Sequence, residues 1–234
     1  MLKADLHLHT KEDPLDKLKI DYTAKELIDY MKKLDFDVIA ITNHNSIFYN
    51  KKIKEYAKKK GILLIPGVEA TIEGKHILIY NPSLKEKLPK TFSELEKYKR
   101  KNKKSVIVAA HPFFPMPQLY FHNLEKYIEL FDAVEYSHFY TKRINFNKRA
   151  VKIAKKHNKP FLGTSDAHFL DKVGTTYSLL KCQKTKASVL EAIKKGNLTI
   201  ITEPIRFLDF ATRLTRSNLR HISRNIYKLK NRKK

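Results

Sequence analysis

Asp5-Leu6-His7-Leu8-His9, near the start of the chain, places two imidazoles two residues apart at the end of an apolar run. Alternate side chains of an extended strand share a face. Asp5, His7 and His9 are therefore expected on one side, with Leu6 and Leu8 packing on the other. Neutral imidazole nitrogen is a good ligand for zinc, manganese or iron, so His7 and His9 can grip one ion. An isolated His-x-His reads more simply as an edge strand with solvated histidines, and only recurrence overturns that reading. The pattern does recur. His44 follows Val38-Ile39-Ala40-Ile41, and Glu69 follows Ile62-Leu63-Leu64-Ile65. His111 follows the run 106–110, His138 the run 133–136, and Asp166 with His168 the run 160–162. All are metal-ligand types just beyond an apolar run, and the two acids can bridge ions.

The runs read as strands, and the segments between them as amphipathic helices. Thr23 offers an N-cap with Glu26 three residues on, a capping box. Leu27, Ile28, Met31 and Leu34 then follow at helical spacing. A Lys-rich helix over 51–60 stops at Gly61, and one over 187–195 stops at Gly196. Further helices are expected over 92–104, 124–131 and 147–157, and strands over 71–80, where His76 lies, and 198–202. Prolines at 112, 115 and 117 make that stretch a loop. Strands alternating with helices argue for parallel β/α units and an α/β fold. Seven or eight such units favour a closed barrel over an open doubly wound sheet, and neither nucleotide-binding glycine fingerprint is present to support the open sheet. In a β/α barrel the C-terminal strand ends open on one face, which hosts the active site. Residues spread over roughly 160 positions would then converge.

With 42% hydrophobic and 31% charged residues in 234, the chain is foldable rather than disordered. The single cysteine, Cys182, excludes an internal disulfide and fits a reducing, cytoplasmic location. No apolar stretch is long enough for a membrane span, and the amino terminus leaves no room for a signal peptide before the His-x-His strand. A net charge of +24 implies attraction to polyanions, although a Lys-rich background with two Gln and three Met also fits heat adaptation. From Arg206 onward there are ten Lys or Arg against one acid, Asp209. Phe210, Leu214, Ile222, Ile226 and Leu229 fall on one half of a helical wheel, and Arg213, Arg216, Arg220 and Arg224 on the other. The chain thus divides into a barrel, 1–204, and a basic amphipathic tail, 205–234, expected to dock on the barrel with nucleic-acid binding as the second role.

So many imidazoles on one rim also argue for metal. Without ions each unsatisfied buried polar group costs roughly 1–3 kcal/mol. Two or three cations about 3.5–4 Å apart would stabilise the attacking and leaving oxygens of a phosphoryl displacement, with hydroxide supplied from metal-activated water.

Asp-Leu-His-Leu-His-Thr, Ile-Thr-Asn-His, Gly-Val-Glu, Ala-His-Pro and Ser-Asp-Ala-His, in that order from 5 to 168, resemble the polymerase and histidinol phosphatase (PHP) metal-dependent phosphoesterases. The resemblance covers residues 1 to about 202 and implies a distorted seven-stranded (β/α)7 TIM-like barrel with a trinuclear zinc, manganese or iron site. By the same resemblance, His7, His9, Glu69 and Asp166 surround one ion, and Glu69 bridges to a second held with His138 and either His76 or His111. His44 and His168 hold a third with an acid from the loop after His9, where Asp13 stands nearer the family position than Asp16. Catalysis is expected to rest on His7, His9, Glu69, Asp166 and His168. Asn43 departs from the family's usual Asp, and the loop 12–21 is longer and more charged than the pattern. Asp5 reads equally as an acceptor orienting a ligand histidine and as a plain strand-end acid. Lys142 and Arg143 sit where a substrate phosphate could be clamped, although a solvated loop is the simpler reading of both. The expected activity is hydrolysis of phosphomonoesters or phosphodiesters, nucleotides or nucleic acid among them. The alternatives are a nucleic-acid-binding protein with little turnover and hydrolysis of a C–N bond.

Overall fold

The computed structural model describes residues 1–116, 119–206 and 210. Among them nine strands form one sheet: β1 (Leu2–Leu8), β2 (Val38–Ile41), β3 (Leu63–Ile72), β4 (Lys75–Tyr80), β5 (Val106–Ala109), β6 (Ala133–Ser137), β7 (Phe161–Thr164), β8 (Thr176–Leu180) and β9 (Leu198–Thr202). Their spatial order is β7-β6-β5-β4-β3-β2-β1-β8-β9. Steps β1–β2, β2–β3, β5–β6 and β6–β7 are parallel, while β4 and β8 run against their neighbours. The sheet therefore differs from a repeat of seven β/α units by carrying two reversed strands.

The helices are α1 (Ala24–Lys33), α2 (Lys51–Lys59), α3 (Phe92–Lys101), α4 (Asn147–Lys156) and α5 (Lys186–Lys195), with a 3₁₀ turn over Glu125–Leu130 where a short α-helix was expected. Thr23 and Glu26 form the expected capping box at α1. Gly196 ends α5 in the left-handed region at φ 68°, a conformation that costs glycine little. Three apolar clusters set the layers. Ala4, Leu6, Val38, Leu78, Val108 and Leu162 meet Val189 and Ile193 of α5. Ile39, Ile41 and Leu64 pack on α1 and α2. Val68, Ile79 and Ile107 pack on α3 and α4.

The sheet almost closes. No ladder joins β7 to β8; instead the Ser178 hydroxyl accepts from Gly163 N at 3.0 Å and donates to Gly163 O at 2.9 Å. A Cβ on Gly163 would lie 2.5 Å from Ile200 Cγ2, so glycine is what lets the edges approach.

β1 corrects the simple alternation. Its register against β2 shifts between Asp5 and Leu8. Leu6 joins the cluster shared with Ala4 and α5, whereas Leu8 packs with α1. A bulge of this kind re-aims side chains at a strand end.

After β9 the chain returns to the loop that follows β6: Ile205 N donates to Tyr140 O at 2.9 Å, and the Phe210 ring is buried against Phe139. The expected basic helix lies, apart from Arg206 and Phe210, outside the described residues. No helix among the described residues is long and apolar enough to cross a membrane.

Candidate metal centre

The rim formed by β1, β2, β3, β5 and β7 gathers the sequence candidates. His7 and His9 come from β1 and its end, His44 from the end of β2, Glu69 from within β3, and His111 from the end of β5. Asp166 and His168 follow β7, and His76 is brought in by the reversed strand β4, opposite Thr71. Asp166 (φ 48°) and His111 (φ 24°) both hold positive φ. Non-glycine residues rarely do so, and such strain concentrates at functional sites.

Around one point the geometry is specific. His7 Nε2 lies 3.4 Å from Glu69 Oε1 and 3.4 Å from Asp166 Oδ1. His9 Nε2 lies 3.4 Å from Glu69 Oε2 and 3.3 Å from Asp166 Oδ1. Both ring nitrogens are buried and neither makes a hydrogen bond. Four donors each about 2.1 Å from a tetrahedral ion would stand roughly 3.4 Å apart. The observed spacing matches that of ligands around a cation and is too long for good hydrogen bonds.

The other candidates extend this centre. Glu69 Oε1 is 2.8 Å from His76 Nδ1 and 3.1 Å from His111 Nε2, and Glu69 Oε2 is 3.0 Å from His44 Nε2. Both oxygens of one carboxylate thus face five rings. Four groups have ligand atoms mutually within 4.8 Å: His9–His44–His168, His7–His9–Asp166, His7–Glu69–His111 and His44–Glu69–His76. Shared members fuse them into one site, with both His76 and His111 included where the sequence left a choice. His138 is buried at the end of β6 but belongs to none of the four groups.

Asp13 faces the wrong nitrogens for a ligand. Its Oδ2 accepts from His9 Nδ1 at 2.9 Å, His44 Nδ1 at 2.8 Å and His44 N at 2.8 Å, and its Oδ1 accepts from Leu15 N at 2.8 Å. A carboxylate so placed holds the proton on Nδ1 and leaves Nε2 free to coordinate. Asp16 instead lies 3.0 Å from His168 Nε2 and forms an ion pair with Lys19. Asp16, rather than Asp13, is the acid of that loop beside His168.

Asp5 pairs with a serine and with backbone. It accepts from Ser165 Oγ at 2.5 Å, Ser165 N at 3.2 Å and His7 N at 3.4 Å. The partner of the His7 ring is Glu135, whose Oε1 lies 2.7 Å from Nδ1. Glu135 also accepts from His111 N and the Thr164 hydroxyl, and is fully buried. Sequence reasoning passed over Glu135 as a strand residue. The signal was an acid inside the apolar run Ala133-Val134-Glu135, because a carboxylate is buried only where it is paired. Lys142 and Arg143 stay exposed on the loop after His138.

Charge balance supports cation binding. Burial alone would raise Glu69 and Asp166, yet the surrounding imidazoles hold both well below the usual carboxylate range. Burial opposes charge on His7 and His44, but Asp166, Glu135 and Glu69 push His7 well up, and Glu69 and Asp13 push His44 up to about 10. His9 and His76, where burial wins, are pushed down. The buried acids demand positive charge at this rim, and divalent cations would supply it in place of protons.

The comparisons with known proteins agree. A family model described as PHP-associated matches residues 145–198. The uncharacterized protein MJ1587 of Methanocaldococcus jannaschii is 33% identical over 123 residues, covering 49% of this chain and 70% of that protein. Among solved structures, a two-domain protein from Bacteroides vulgatus, described as containing a predicted PHP-like metal-dependent phosphoesterase, superposes with TM-score 0.65 at 18% identity, covering 90% of this chain and 68% of the other. PsfC from Pseudomonas syringae superposes with TM-score 0.63 at 16% identity, covering 95% and 98%. Motifs, rim geometry and relatives converge: the chain belongs to the PHP domain family.

Proposed function

We propose that this protein hydrolyses phosphate esters with two or three divalent cations, zinc, manganese or iron, held by His7, His9, Asp16, His44, Glu69, His76, His111, Asp166 and His168. The observation that carries the reading is the 3.3–3.4 Å spacing of His7 Nε2, His9 Nε2, Glu69 and Asp166 with no hydrogen bond on either ring nitrogen. When bound, divalent cations polarise a phosphoryl oxygen, acidify water and neutralise charge developing on the leaving oxygen.

The chain's own residues contribute orientation, access and charge. Asp13 and Glu135 fix the His9, His44 and His7 rings from behind. His7 and His9 are fully buried, whereas His168, Asp166 and His76 are 26%, 17% and 16% exposed. Substrate therefore approaches from the side of those three residues. Lys142 and Arg143 draw an anionic ester toward the rim, and Arg can take two phosphate oxygens at once.

The test is hydrolysis of p-nitrophenyl phosphate, bis-p-nitrophenyl phosphate and a panel of natural phosphate esters with added manganese. Turnover of at least one, abolished by chelation and by His9→Ala, is expected. No turnover across the panel by metal-loaded protein would overturn the reading.

A further inference from the structure

Phe210 is a described residue beyond the barrel whose contacts lead back to the metal centre. Its ring is 4% exposed and stacks on Phe139, with centroids 4.7 Å apart and planes at 21°. Phe146 lies nearly parallel on it, at 6.0 Å and 13°. Phe139 and Phe146 bracket the loop that starts at His138, so one ring braces both ends of that loop. Phe139 also packs on Phe114 at 4.8 Å, and Phe114 sits edge-on to the His111 ring at 5.7 Å. His111 Nε2 in turn lies 3.1 Å from Glu69 Oε1. A continuous row of rings therefore runs from Phe210 to the carboxylate at the heart of the site.

The backbone is tied at the same place. Ile205 N donates to Tyr140 O at 2.9 Å and Phe210 N to Arg206 O at 3.0 Å, which sets the ring over the loop. The loop's other ties include Thr141 N to Ile144 O at 2.8 Å, Asn147 bonded to both N and O of Ser137, and the Tyr140 hydroxyl bonded to Thr202 Oγ1 of β9 at 3.1 Å. Those bonds define the loop's shape. They do not press it toward His111.

We propose that Phe210 is a positioning residue for the metal centre, bracing Phe139 so that, through Phe114, His111 keeps the placement that metal binding requires. The proposal rests on the metal-centre reading above and adds that a residue beyond β9 supports the site. Packing transmits displacement because protein interiors are close-packed, and a site whose supporting contacts are loosened binds less well while still being present.

The experiment uses the full chain as Phe210→Ala, Phe210→Tyr and, as a control for general loss of packing, Phe92→Leu, which alters the ring stack with Tyr127 away from the centre. Two readouts are taken well below the melting temperature. The first is manganese affinity by competition with a chromophoric chelator. The second is amide hydrogen exchange over residues 137–147 in metal-free protein. Phe210→Ala is expected to bind manganese about tenfold more weakly, the size seen when a supporting contact of a metal ligand is lost, and to exchange faster over 137–147. Phe210→Tyr, which keeps the ring, should stay within about twofold of the parent by the same measure, and Phe92→Leu should match the parent in both. Unchanged exchange in Phe210→Ala would overturn the bracing, whatever the metal does. Faster exchange with parental affinity would overturn the link to the centre. Absence of manganese binding by the parent would sink the metal-centre reading and the positioning role with it, while the exchange arm still decides whether the brace exists.

Discussion

Glu135 shows how the site is held together one residue at a time. It lies behind His7 and His111 and touches neither solvent nor any expected substrate path. Replacing it with Gln keeps the shape but removes the charge that fixes His7. Metal affinity of Glu135→Gln is expected to fall about 10–100-fold, the usual cost of losing such a partner. Parental affinity in a chelator competition would contradict this. Asp13 and Asp16 should separate in the same assay. Asp13→Asn should keep the number of bound ions and weaken their hold, because Asp13 orients rings; Asp16→Ala should lose an ion, because Asp16 faces His168 Nε2. Equal stoichiometry in both variants would undo that assignment. Sequence made His7, His9, His44, Glu69, Asp166 and His168 visible because each ends or follows an apolar run. Glu135 was hidden because it lies within a strand, and the roles of Asp13 and Asp16 turn on which ring nitrogen each meets, a matter of loop geometry.

At the scale of elements, sequence was legible where the physics is local. The α1 capping box and the Gly196 stop of α5 follow from residues a few positions apart. Thr23→Ala should lower stability by about 1 kcal/mol, read as a drop in melting temperature. Asp37, just before β2, accepts from Lys3 N at 3.0 Å and Lys184 Nζ at 2.8 Å. Burial would raise this carboxyl, but those bonds hold it below its ordinary value. Its contribution is thus present above an unfolded value of about 3.9 and is lost as pH falls through the lower folded value. Asp37→Asn should melt earlier than the parent at neutral pH, and the gap should shrink below pH about 4. A gap that is constant with pH would contradict the assignment. β8 escaped because Thr-Tyr-Ser-Leu-Leu has no apolar run, only an alternation that its half-buried setting explains. The bulge in β1 escaped because register depends on the neighbouring strand.

The barrel as a whole was foreseeable in class and in its tendency to close, but not in its topology. Alternating runs and helices announce α/β, yet the reversed strands β4 and β8 and the seam between Gly163 and Ser178 are contacts between distant segments. Gly163→Ala forces a methyl against Ile200 and should cost about 1–3 kcal/mol, as overpacking does. A melting temperature equal to the parent's would show that the seam is looser than the structure implies. Closing the sheet is also what brings Asp166 and His168, after β7, beside His7 and His9 of β1. The metal content of the reconstituted, desalted chain tests this convergence most directly. At least two manganese or zinc ions per chain, falling in His9→Ala, are predicted; fewer than one ion per chain would contradict the account.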